Sequence, residues 1–154
     1  MDFVKRNVKL IGVAGCLLAI IGTFLPFASI TVEAYGYSQS ESVRFIEGDG
    51  VFVIILAVVA GFMLFGKALI GLRISFIRFD KIVKFWWGAL VPLAVALGIT
   101  FYDASEIDTV ESSYMGLSAD ISFGIGMYLI VLGLLVAIAS VIFDKFVAKN
   151  DAAN

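Results

Sequence analysis

The residues in this chain best suited to chemistry are carboxylates. Glu47 and Asp49 stand directly before an apolar run in "FIEGDGVFVIILAVV", residues 45–59. A second acidic group, Asp103, Glu106, Asp108 and Glu111, falls in "DASEIDTVE". Hard cations such as calcium take six to eight oxygen ligands, and clusters of this kind can supply them. The spacing is not that of a calcium loop, because the pattern D-x-[DN]-x-[DN]-G is absent. The same spacing describes a solvated acidic face. A helix beginning near Gly50 would leave its first four N–H groups without intrahelical partners. Asp is a preferred N-cap residue, and its charge complements the positive helix end. Asp120 and Ser122 offer the same service to a last helix. The reading is therefore capping by Asp49, Asp120 and Ser122, with Glu47, Asp103, Glu106, Asp108 and Glu111 as an outer acidic patch. No metal, cofactor or catalytic residue is assigned.

Other chemistry is thinly represented. The chain has no His and one Cys, Cys16. Without imidazole there is no His-based acid–base catalysis, metal site or haem ligation, and a lone Cys forms no disulfide within the chain. There is no N-x-Ser/Thr sequon, which fits a bacterial origin. "VAGC", residues 13–16, has the look of a lipoprotein cleavage box. Only three residues, Leu10-Ile11-Gly12, separate it from Lys9, whereas a signal peptide needs an apolar core of about 7–15. Cys16 is read as a small packing residue.

The elements that must carry these groups follow from composition. Of 154 residues, 61% are hydrophobic, and the mean hydropathy is +1.03. Soluble domains sit near about 45–50% apolar. Charge-free windows alternate with short charged ones: Lys9 to Glu33 and Asp120 to Asp144 each enclose 23 uncharged residues, Asp49 to Lys67 encloses 17 and Lys84 to Asp103 encloses 18. A membrane-spanning helix needs roughly 20 mostly apolar residues. The second window reaches that length if Lys67 snorkels. The fold expected is an all-α integral membrane domain over residues 1–154. It is a bundle of four transmembrane helices in two hairpins, with spans near 10–31, 51–72, 85–102 and 123–143. "SITVEAYGYS" alternates briefly with period two, which allows short β-strands in the first outer loop.

Charge placement orients the chain. Ten of the eleven Lys and Arg fall on one side, in the termini, the middle loop and, at Lys67, the inner end of the second span, and only Arg44 falls on the other. Cytoplasmic segments carry the Lys/Arg excess, so the expected location is the cell membrane, multi-pass, with both termini cytoplasmic. The middle loop "RISFIRFDKIVKFWW" mixes basic and apolar residues as a headgroup-level anchor does, and Trp86 and Trp87 suit an aromatic belt. No basic patch with interleaved aromatics points to nucleic acid.

Small residues recur at four-residue steps: Gly15-Ala19-Thr23, Ala57-Gly61, Ala94-Gly98 and Gly133-Ala137. "GDGVFVIILAVVAG" and "GIGMYLIVLGLLVA" align at an offset of 76, pairing Gly48 and Gly50 with Gly124 and Gly126, and Ala57 and Gly61 with Gly133 and Ala137. A hairpin duplication and two helices meeting the same packing demand both explain this. Small-xxx-small steps let helix backbones approach closely in lipid. Ala57, Gly61, Gly133 and Ala137 are therefore expected to line contacts inside the bundle. Pro92, in the third span, is the one helix breaker in mid-membrane and is expected to kink that helix, with Gly88, Ala96 and Gly98 packing nearby.

Leu25-Pro26-Phe27 closing the first span, and Gly48-Asp49-Gly50 opening the second, resemble a broad group of small bacterial four-span proteins of unassigned function. The resemblance covers about the first half of the chain and carries over no catalytic or binding residue. The topology is similar to claudin-type proteins, but the first outer loop lacks their tryptophan motif and cysteine pair. No ionisable residue lies in mid-span, which argues against proton relays and ion-coupled transport. The functional expectation is a non-enzymatic membrane protein of interaction, accessory, assembly or immunity type. Its partners would be the bilayer and a membrane protein or further copies of itself. The alternative is a homo-oligomeric channel with an acidic outer vestibule.

Overall fold

A computed structural model of the chain describes residues 2–34, 37–69, 86–110 and 118–151. Helices α1 (Asp2–Phe24), α2 (Gly50–Leu69), α3 (Leu90–Val110) and α4 (Ile125–Asp151) account for most of it. Strands β1 (Pro26–Ala34), β2 (Tyr37–Arg44) and β3 (Ser118–Phe123) form one small antiparallel sheet. Single 3₁₀ turns cover Phe45–Glu47 and Trp86–Ala89. Helix neighbours are α1–α4, α1–α2, α2–α3 and α3–α4, so α2 and α4 sit across from each other. β1 and β2 follow the first helix, where short strands were expected, and β3 is an addition to that expectation.

Proline explains two boundaries. The first helix ends at Phe24 rather than near residue 31. Pro26 has no N–H to donate, and it disfavours the helical region for Leu25. Thr23 Oγ1 donates to the Ile20 carbonyl at 2.7 Å, and Leu25 N donates to the Gly22 carbonyl at 3.2 Å. Pro26 then opens β1, a strand position that tolerates it. Pro92, expected to kink a helix, instead lies in the first turn of α3, where its missing N–H would have had no intrahelical partner. The 3₁₀ turn before it delays the start of α3, which then runs to Val110, well past the expected end at 102.

The sheet is two-faced. β1 is central, flanked by β2 and β3. Its register sets Ser29 between Ser42 and Ser122, and Thr31 between Ser40 and Asp120. Ala28 lies between Val43 and Phe123, and Ile30 between Glu41 and Ile121. Alternation thus separates a hydroxyl-rich face from a mainly apolar one. Ala28 is buried, and Phe123 packs against the helix core. A bulge between Pro26 and Ala28 lets Phe27 turn inward as well. There it stacks on Phe45, with ring centroids 4.4 Å apart and 16° between planes.

The helix interior mixes small residues with a few large apolar ones, and many other large apolar side chains face out. Ala19, Ala57, Ala60, Ala96 and Ala137 are buried, with Val53, Leu93, Ile130 and Leu134 filling between them. Phe62, Val91, Tyr128 and Ile125 are each more than 60% exposed. The closest approach is the α1–α4 seam. A Cβ placed on Gly15 would lie 2.6 Å from the Gly133 carbonyl, and one on Gly22 would lie 2.9 Å from the Gly126 carbonyl. Among the described residues, two stretches are long and apolar enough to cross a membrane, Leu90–Ile107 and Ile125–Lys145. Leu10–Phe24 and Gly50–Leu64 are apolar but shorter.

Candidate functional site

Most carboxylates of the described residues lie at one end of the helices, around the sheet and the facing ends of α2 and α3. The 3₁₀ turn Phe45–Glu47 brings the chain from β2 back over the bundle end, anchored by the Phe27–Phe45 stack. Gly48 N closes the turn on the Phe45 carbonyl at 3.0 Å. Gly50 then passes so close that a Cβ there would sit 2.5 Å from the Phe45 carbonyl oxygen. Glycine is required at this point for space.

Asp49 occupies the position before α2, and its carbonyl accepts from Phe52 N at 2.9 Å and Val53 N at 3.4 Å. Its exposed carboxylate makes no capping hydrogen bond among the described residues. The backbone thus makes the start of α2, and the side chain contributes charge alone. Asp120 and Ser122, expected to cap the last helix, lie inside β3 opposite Thr31 and Ser29. α4 begins only at Ile125, and Gly124 precedes it with its N–H donated to the Phe27 carbonyl at 2.7 Å. Residues three to five positions ahead of a helix cannot reach its first N–H groups while paired in a strand. Alternation in "SADISF" is the sequence signal for β3.

The acidic residues come together only in part. Glu47 is exposed at the end of the 3₁₀ turn. Asp103 and Glu106 lie on α3, a helix where the sequence suggested a loop. Tyr102 Oη donates to Glu106 Oε1 at 3.0 Å. Asp103 is within electrostatic reach of both Asp49 and Glu106, so the start of α2 faces the last turns of α3. Asp108 follows on α3, and Glu111 lies outside the described residues. Among the described residues, no group of three or more His, Cys, Asp or Glu is arranged to hold a metal ion.

The small-residue positions separate into two kinds. Ala57 and Ala137 are fully buried. A Cβ on Gly133 would lie 2.6 Å from Ala19 N and the Gly15 carbonyl oxygen, both on α1. Gly61 is half-buried, and its Cβ would make an ordinary 3.8 Å contact with Cys16 Cβ. The Gly133 face of α4 and Gly61 of α2 therefore both approach α1. Ala94 and Gly98 are exposed, and nothing lies within 4 Å of a Cβ on Gly98, so this step does not pack, although Gly88 and Ala96 do. Sequence reasoning missed Gly12 and Gly22. Their spacing with Gly15 and Ala19, at alternating three- and four-residue steps, was the available signal.

Polar groups inside the helices are few and satisfied locally. Thr100 Oγ1 donates to the Ala96 carbonyl at 2.9 Å, and Ser140 Oγ to the Ala137 carbonyl at 2.9 Å. Ser140 Oγ also fills the space where a Cβ on Gly12 would stand. The middle loop with Arg73, Arg78, Lys81 and Lys84 lies outside the described residues. No protein-family model matches the chain, and no curated protein matches its sequence.

Proposed function

We propose that the chain is a four-span integral membrane protein of the cell membrane that acts by contact and not by catalysis. In this reading it resembles the small bacterial four-span proteins noted above and serves a membrane partner as an accessory, assembly or immunity-type subunit. One observation carries the membrane part: large apolar side chains cover much of the outer helix surface. Apolar side chains normally leave water on folding. Here Phe62, Val91, Tyr128 and Ile125 stay outside, while glycine and alanine let α1 and α4 approach closely. In lipid there is little hydrophobic drive between helices, so close backbone approach decides which faces meet. α1, with 23 residues, and α2, with 20, have enough helix to cross, at about 1.5 Å per residue. The ten-to-one placement of Lys and Arg supports cytoplasmic termini.

The contact surface in this reading is the outer layer. Its hydroxyl face presents Ser29, Thr31, Ser40, Ser42 and Ser122, and the exposed carboxylates Glu47 and Asp49 follow β2 in the same layer. Cysteines placed at Ser40 and Ser42 in a Cys16→Ser background are expected to react with an impermeant thiol reagent added to intact cells, while one at Ser75 stays protected. Labelling of Ser75 with protection of the other two overturns the orientation. A photo-crosslinker at Ser42 is expected to trap a protein partner, and Ser29→Arg with Ser122→Arg is expected to abolish trapping without loss of folded protein. Trapping that survives those changes overturns the assignment of this face.

A further inference from the structure

Each helix carries an exposed aromatic residue within about a turn or two of its sheet-side end: Phe24 on α1, Phe52 on α2, Tyr102 on α3 and Tyr128 on α4, all more than half exposed. Three contacts set these ends level. Gly126 stands so near α1 that its Cβ would lie 2.7 Å from the Gly22 and Leu25 carbonyl oxygens. Phe27, just past α1, stacks on Phe45, just ahead of α2. Asp49, at the start of α2, is within electrostatic reach of Tyr102. Aromatic side chains with an apolar body settle where hydrocarbon gives way to headgroups, and Tyr adds a polar tip for the wet side.

The opposite boundary is marked independently. Lys9 lies 15 positions from Phe24 within α1, Lys67 lies 15 from Phe52 within α2, and Lys145 lies 17 from Tyr128 within α4. These separations correspond to about 22–26 Å of helix at 1.5 Å per residue. The hydrocarbon core is about 30 Å thick, and the difference is within the length of a lysine's apolar stem. Three helices thus give nearly the same thickness from two unrelated residue types.

Resting on the four-span reading above, we infer that Phe24, Phe52, Tyr102 and Tyr128 form a ring that seats the protein in the headgroup boundary of the outer leaflet. The partner of this surface is the lipid interface itself. The three-stranded sheet stands directly above the ring, since β1 begins two residues after Phe24 and β3 ends five before Tyr128. Asp103 and Glu106, next to Tyr102, then lie at headgroup level and not in hydrocarbon.

The test replaces ring residues by tryptophan in a Trp86→Phe, Trp87→Phe background, using Phe24→Trp, Phe52→Trp and Tyr128→Trp separately, so that one poorly folding variant leaves two. Leu135→Trp, at a half-exposed mid-helix site of α4, is the deep control. Each is reconstituted in phosphatidylcholine vesicles containing nitroxide lipids labelled either near the headgroup or near the chain end. The ring tryptophans are expected to be quenched about twofold or more strongly by the shallow label, as interfacial aromatics should be. The Leu135→Trp variant is expected to show the reverse preference. Ring tryptophans quenched best by the deep label, or by neither label while Leu135→Trp is quenched, overturn the ring and leave the membrane reading standing. Absence of quenching at all four sites overturns both.

Discussion

Gly133→Ala is the substitution that probes the packing most directly. The added Cβ would stand 2.6 Å from Ala19 N and the Gly15 carbonyl oxygen. Both are backbone atoms of α1, so no side-chain rotation can relieve the clash. Non-bonded heavy atoms settle at about 3.5–4.0 Å, so the helices would have to part by about 1 Å. A gap of that order forfeits about a quarter to a half of each dispersion contact along the seam. Overpacking of this kind costs about 1–3 kcal/mol. Replacing helical glycine by alanine returns up to about 1 kcal/mol of propensity, which leaves Gly133→Ala destabilised by up to about 2 kcal/mol. Gly98→Ala is the matched control. Nothing lies within 4 Å of its Cβ, so only the propensity gain remains, about 0.5–1 kcal/mol of added stability. Gly61→Ala, with an ordinary 3.8 Å contact, should resemble Gly98→Ala. The assay is equilibrium unfolding of purified protein in mixed micelles, read by helical circular dichroism. If Gly133→Ala is as stable as wild type while Gly98→Ala gains nothing, backbone approach is not what holds α1 to α4.

Two further outcomes follow from the outer layer. Phe45→Ala removes a buried ring and its stacking partner; such deletions cost about 3–5 kcal/mol, and the expected result is loss of ordered sheet, measured as new hydrogen exchange at β1 amides with the helices still protected. Asp49→Asn and Ser122→Ala should each change stability by no more than about 0.5 kcal/mol, because neither side chain caps a helix and both are exposed; a loss above about 1 kcal/mol in either, in the unfolding assay, would restore side-chain capping.

The α1–α4 seam shows how far sequence pattern reaches. Gly133 and Ala137 were recognisable as a close-packing step, because small-xxx-small spacing puts both on one helix face. The identity of the facing helix was not. Spacing along one helix says which face is small, but the neighbour depends on how four helices are arranged around one another. The Gly133 face meets α1, and its sequence repeat on α2 meets α1 from another side. Ala94-Gly98 had the same spacing and yet faces outward. In an apolar chain, an inward and an outward helix face can have similar composition, and the period alone cannot separate them.

What the sequence determined by itself is local: the apolar windows that become helices, the one-sided distribution of Lys and Arg, and Pro26 closing the first helix. These follow from side-chain transfer and backbone sterics, which act residue by residue. What only the tertiary structure decided is the pairing of distant segments. β3 joins β1 across more than eighty residues of chain, taking Asp120 and Ser122 from the expected helix cap into a strand. Asp103 and Asp49 come within electrostatic reach because α2 and α3 are neighbours. Strand partners and helix neighbours are chosen by which surfaces exclude one another least in three dimensions, and that choice is not written in any single stretch of the chain.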